Sequence, residues 1–124
     1  MNEKEYELMK TNFLKEAELI NKSNIKIFLS QPMTDITKEI VYVTRSYMKE
    51  IISRIIVDKN ITFVSTYEVD KPDNEPYMWY LSNAILELSK CDLVAFAPTY
   101  YKSNGCLVEN FICNKYKIPH VYMV

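Results

Sequence analysis

Ile25-Lys26-Ile27-Phe28-Leu29-Ser30 (IKIFLS) runs directly into Gln31-Pro32-Met33, and this junction decides the fold class. Four apolar residues in six, two of them β-branched, are too short a run for a buried helix. They suit a strand covered on both faces. Pro32 lacks an amide proton and disfavours helical backbone in the residue before it, so the strand ends there. Beyond it Thr37 is placed to cap a helix, with Ile40, Val41, Val43, Tyr47, Met48, Ile51, Ile52 and Ile55 as its apolar face. A buried strand feeding a helix at this distance is the start of a β–α–β unit.

The same alternation extends in both directions. Asn60–Tyr67 (NITFVSTY), Asp92–Pro98 (DLVAFAP) and Pro119–Val124 (PHVYMV) are strand-like. Tyr77–Lys90 carries helical periodicity through Trp79, Tyr80, Ala84, Ile85 and Leu88, and Cys106–Tyr116 forms a further helix. Upstream, Tyr6, Met9, Phe13, Ala17 and Ile20 recur every three or four positions, an amphipathic helix over Glu3–Asn21. Glu68–Pro76, with two prolines and four acids, reads as a surface loop, and Thr99–Asn104 as a second loop. The order α-β-α-β-α-β-α-β predicts right-handed crossovers and an α/β fold. We expect a flavodoxin-like three-layer sandwich with a short parallel sheet of strand order 2-1-3-4. Residues 1–124 form a single domain, of which 1–22 is an N-terminal helical extension. That extra helix would cover the sheet face otherwise held by one helix alone; a dimer element is its other role.

Composition excludes several classes. The chain is 48% hydrophobic and 13% aromatic, too apolar for disorder. Fifteen basic and sixteen acidic residues are interspersed, for a formal net charge of −1, which argues against a nucleic-acid partner. No apolar run reaches the roughly 18 residues of a membrane span, and Met1–Lys10 is too charged for a signal peptide. Three cysteines without a CxxC pair suggest reduced thiols and a cytoplasmic protein. No His, Cys and carboxylate cluster has metal-ligand spacing, so neither metal nor cofactor is expected. Cys91, Cys106 and Cys113 read as small buried hydrophobes. Position at a helix N-terminus would lower the Cys106 pKa, but His120, the one histidine, is remote from it.

In a sheet of this order ligands bind beyond the carboxyl ends of the strands, where the order reverses between strands 1 and 3. Ser30-Gln31-Pro32-Met33 and Pro98–Gly105 are delivered there. The second segment opens a helix, whose free amides and positive dipole end suit an anion. Gly105 stands at that entry and is the one glycine of the chain, where average usage predicts about nine. A missing Cβ permits unusual φ or close approach of a ligand; simple loop geometry is the alternative. Glu109 lies one turn further on the same helix face. The helix field favours its ionised form, which makes it an available carboxylate nucleophile, although first-turn glutamates are commonly just solvated. Ser103 is placed to cap the helix or to donate to a phosphate. Tyr100 and Tyr101 are placed to stack on a planar ligand, though ten tyrosines make a pair near any loop unsurprising. Trp79 and Tyr80 read as core-facing.

The strings IKIFLSQPM, WYL-x₉-CDLVAFAP and SNGCLVEN-x₅-YKIP resemble the nucleoside 2-deoxyribosyltransferase-like superfamily, in particular its small phage and bacterial branch. The resemblance covers about Ile25 to His120, and Gly-Cys-x-x-Glu at Gly105–Glu109 is its most specific element. It implies that Glu109 attacks C1′ of a nucleoside or nucleotide and that water or a second base resolves the glycosyl-enzyme. Nucleoside-specific branches tend to carry an acid six residues before this glutamate, and nucleotide hydrolases a serine that meets the 5′-phosphate. Here that residue is Ser103, with Lys102 beside it. The resemblance thus implies a small-molecule nucleotide ligand. Ser30, Gln31, Pro32 and Met33 would line the sugar or base pocket, and Ser103, Asn104 and the Gly105 and Cys106 amides would hold the phosphate. Relatives often complete each other's sites, which implies a homodimer or higher homo-oligomer.

The chain also departs from that pattern. Where catalytic relatives carry an aspartate that handles the leaving base, this chain has Ala84. Loss of a general acid costs about 10²- to 10⁴-fold in rate. Asp70, Asp73 or Glu75 would have to replace it. Relatives tend to carry glycine at Asp35 and Lys117, and Gly-Trp at Thr99-Tyr100. The expectation is therefore N-glycosidic bond cleavage or 2-deoxyribosyl transfer on a nucleotide through Glu109. The alternatives are a non-catalytic nucleotide or nucleotide-signal binder and a structural protein with a vestigial crevice.

Overall fold

Strand β1 (Asn24–Ser30) is an inner strand of a four-stranded, all-parallel sheet. Strand β2 (Asn60–Val64) pairs on one side of it, β3 (Leu93–Phe96) on the other, and β4 (His120–Tyr122) beyond β3, giving the order 2-1-3-4. The computed structural model describes residues 1–65 and 75–124. Helices α1 (Glu3–Leu19), α2 (Lys38–Ile55), α3 (Tyr77–Ser89) and α4 (Asn104–Lys115) cover the two faces in a flavodoxin-like three-layer arrangement. No described helix is long and apolar enough to cross a membrane.

Alternation along the strands sorts the core into two layers. Ile25, Ile27 and Leu29 of β1, with Leu93 and Ala95 of β3, face α1 and α2. Phe28, Val94 and Phe96 face the opposite way, onto Ala84 and Leu88 of α3 and Cys113 of α4. Met9, Phe13 and Ala17 of α1 are buried in the first layer with Met48 and Ile52 of α2 and Val121 of β4. The N-terminal helix is thus a cover of the sheet. Its start is held by a capping box, in which Asn2 Oδ1 accepts from the Glu5 amide at 2.8 Å and the Asn2 amide faces the Glu5 carboxylate. Its end is tied down by Lys59 Nζ, which donates to the Ile20 carbonyl at 2.9 Å.

Element boundaries move by a few residues from the sequence reading. α2 starts at its Thr37 cap as expected, but Ile40 and Val43 are exposed. Val41, Met48, Ile52 and Ile55 follow a 3.6-residue period, and Ile40 and Val43 rotate off that stripe. β2 ends at Val64; Thr66 and Tyr67 of the expected strand, and most of the acidic loop, lie outside the described residues. Asp92 does not join β3. Its carboxylate instead accepts from the Lys26 amide at 2.9 Å and the Lys22 ammonium at 2.7 Å. Burial would raise the Asp92 pKa, but these two donors outweigh it and hold the carboxyl below its usual range. The loop before α4 contains a short 3₁₀ turn, Tyr100–Lys102, and α4 starts two residues earlier than expected.

Two non-glycine residues occupy the left-handed region, Asp35 at φ 60° and Lys117 at φ 56°. These are the two turns where the resemblance expects glycine. Asp35 is the third residue of a turn closed by the Ile36 amide on the Met33 carbonyl. Lys117 follows α4, and the Ile118 amide reaches back to the Cys113 carbonyl at 2.9 Å in a Schellman closure.

Candidate functional site

The inner strands end where the sheet order reverses. Ser30 pairs with Phe96 at the ends of β1 and β3, and the chain leaving β3 turns into α4. Ser30 points to the same face as Phe28, the α3 and α4 side. There its Oγ donates to Glu109 Oε1 at 2.8 Å, and both residues are buried. Gln31 faces the other way, and its Nε2 donates to the Val41 carbonyl of α2 at 3.1 Å.

A cleft of about 810 Å³ opens over this junction, within the usual size of small-ligand sites. Gln31, Met33, Ser103, Gly105, Cys106 and Glu109 line it, as do Trp79, Tyr80, Asn83 and Ala84 of α3. A second depression of about 890 Å³ adjoins it, lined by Pro32, Asp35, Thr37, Lys102 and Asn104. Thr34, Tyr77 and Ser103 border both. The expected site residues are therefore split. Pro32 and Asn104 belong to the second depression, and Ser30 lies behind the Glu109 carboxylate to which it donates. Tyr100 is directed elsewhere, packing on Phe96 and Tyr122 with ring centroids 5.3 and 5.1 Å away. Tyr101 is exposed beside it.

Several expectations about the site are corrected by its burial. Gly105 does not adopt positive φ. It sits in the first turn of α4, where a Cβ would come within 3.1 Å of the Tyr77 hydroxyl. Its missing side chain makes room for Tyr77. Ser103 is the cap of α4, its Oγ accepting from the Cys106 amide at 3.3 Å. Leu107 donates the next bond, to the Ser103 carbonyl, so the Asn104 and Gly105 amides lie ahead of the helical ladder. Glu109 is not held ionised by the helix field. Burial pushes its pKa up to about 7, against the opposing hydrogen bond from Ser30. Burial likewise raises the Cys106 thiol, with the Glu109 charge adding to it, so no lowered Cys106 pKa results. Cys113 is pushed up to about 12 and Cys91 to about 11, both chiefly by burial.

Trp79 is not core-facing; it is 37% exposed and forms a cleft wall with the half-buried Tyr80. Ala84 lies in the wall at the position where an acid is expected, and it is buried. Of the proposed replacements, Glu75 lines the cleft, and Asp70 and Asp73 lie outside the described residues. Glu87 was missed by the sequence reading. It lines the cleft three residues beyond Ala84, a spacing that puts both on one helix face. Tyr77 was missed as well, because a residue following Pro76 at the start of a helix carries no periodic signal.

Comparison of the chain with protein-family models, with curated proteins and with solved structures finds no match.

Proposed function

We propose that the chain cleaves or exchanges the N-glycosidic bond of a nucleotide, with Glu109 as nucleophile, as its resemblance to the nucleoside 2-deoxyribosyltransferase-like superfamily implies. The observation that carries this reading is the Ser30–Glu109 hydrogen bond in the cleft at the sheet's switch point. One carboxylate oxygen is held by Ser30 Oγ, which leaves Oε2 for bond formation. In the proposed reaction this oxygen forms a bond to C1′ while the C1′–N bond breaks, its electron pair leaving with the base. The base takes up a proton, and water or a second base then displaces Glu109. The aromatic wall of Trp79 and Tyr80 suits a nucleobase. Lys102 and the leading amides of α4 suit a phosphate in the adjoining depression.

Ala84 favours a second reading, a nucleotide binder without turnover. A side chain without a titratable group at that wall supplies no proton to the leaving base, and Glu75 and Glu87 are the carboxyls besides Glu109 among the described cleft residues. Base release, followed by chromatography over a panel of ribo- and deoxynucleotides, separates the two. The enzyme releases base, and Glu109→Gln loses at least about 100-fold of that rate. The binder shows ligand-dependent melting shifts without release.

A further inference from the structure

The Gln31 side chain has one end satisfied and one end not. It is only 3% exposed, and its Nε2 donates to the Val41 carbonyl at 3.1 Å. That bond sets the orientation of the amide, because the reverse placement would set two acceptor oxygens against each other. Oε1 therefore points away from Val41, and it has no hydrogen-bond partner among the described residues. A buried acceptor left this way costs stability, and its persistence calls for a functional explanation. Gln31 lines the same cleft as Glu109 and directly follows Ser30, which holds the Glu109 carboxylate. Among the cleft walls, Phe28, Met33, Trp79, Tyr80 and Leu81 are apolar or aromatic. They fit the faces of a flat ring and offer little to its polar edge.

We infer that Gln31 is a specificity-determining residue whose Oε1 accepts a hydrogen bond from an N–H on the edge of a nucleobase seated against Glu109. This rests on the nucleotide reading above and adds the feature of the base that is read. A site built around a buried acceptor rejects a ligand without the matching donor, because the acceptor then stays unpaired. The Val41 carbonyl anchors the amide, so the preference is set before the ligand arrives.

The test compares UMP with N3-methyl-UMP and AMP with N6,N6-dimethyl-AMP, using calorimetry on wild type and on Gln31→Met, a side chain of similar length without the acceptor. Wild type is expected to bind at least one parent nucleotide about tenfold or more tightly than its methylated partner. In Gln31→Met that ratio should fall to near one, with the methylated nucleotide bound about as well as by wild type. A ratio that survives in the variant reflects the bulk of the methyl group and overturns the proposal, even where base release still depends on Glu109. Without ligand, Gln31→Met should melt close to the wild-type temperature, because loss of the orphaned acceptor offsets loss of the bond to the Val41 carbonyl; a large fall would mean a structural role and overturn the proposal. If no nucleotide binds either protein and none is turned over, the nucleotide reading fails and this inference fails with it.

Discussion

Ser30 and Glu109 meet at 2.8 Å although 79 residues of chain separate them. The contact follows from topology. β3 pairs beside β1, and the helix leaving β3 returns over the face to which Ser30 points. Among the described residues, the one hydrogen bond found on the Glu109 carboxylate thus comes from the strand that starts the fold, and burial supplies the opposing force.

Glu109→Gln should make stability less sensitive to pH. Below pH 4.5 the glutamate is protonated in both the folded and the unfolded chain, so it contributes no pH dependence. Between pH 4.5 and about 7 the unfolded chain releases a proton that the fold retains, and stability falls as pH rises. Above 7 the full cost of the buried charge is present, about 3 kcal/mol for this rise in pKa. Denaturant titrations should therefore show the variant gaining on wild type by about 2–3 kcal/mol between pH 4 and pH 8. A difference that stays constant over that range would contradict the buried, shifted carboxyl.

Ser30→Ala removes the donor that favours the ionised form, so the Glu109 pKa should rise beyond about 7. If base release needs the carboxylate, its pH midpoint moves up by about one unit, corresponding to a hydrogen bond of about 1.4 kcal/mol. The rate at pH 7 falls and recovers at higher pH. An unchanged midpoint in the pH–rate profile would show that the hydroxyl does not govern the carboxylate.

Gly105→Ala separates the two roles of a glycine. Its φ is one that alanine accepts, so the first turn of α4 gains up to about 1 kcal/mol, the helix-interior value being the upper bound. The new Cβ, however, meets the Tyr77 hydroxyl at 3.1 Å. Exchanging alanine for Gly105 in a Tyr77→Phe background removes that contact, and the full gain should appear there and be smaller in wild type. Equal gains in both arms of the double-mutant cycle would mean that Tyr77 does not depend on the missing side chain.

The layers and strand order were readable because their signals are local. Runs such as IKIFLS and DLVAFAP, separated by helical periods, leave few parallel arrangements once crossovers must be right-handed. That the end of β1 meets the N-terminus of α4 was readable for the same reason. Side-chain direction was not. Tyr100 sits one short turn from the cleft, yet its ring joins the Phe96 and Tyr122 stack, a choice made by β3 and β4. The protonation of Glu109 was equally hidden, since helix position argued for charge and only the packed fold reveals the burial that outweighs it. Trp79 and Tyr80 followed core periodicity because a cleft wall and a core face look alike along one helix.

Lys117→Gly should stabilise the fold. The closure after α4 needs a left-handed residue, and Lys117 supplies it at φ 56° so that the Ile118 amide can reach the Cys113 carbonyl. A side chain with a Cβ is strained there by about 1–2 kcal/mol, and glycine returns about 0.5–1 kcal/mol of that through its more flexible unfolded chain. The net gain is up to about 1 kcal/mol, a rise of a few degrees in melting temperature for a domain of this size. Asp35→Gly should gain less, because aspartate tolerates the left-handed region better than lysine. Lys117→Ala is the control, since it removes the lysine chain and keeps the strained Cβ. If alanine raised the melting temperature as much as glycine, charge or side-chain entropy at Lys117, and not its backbone, would be the source of the effect.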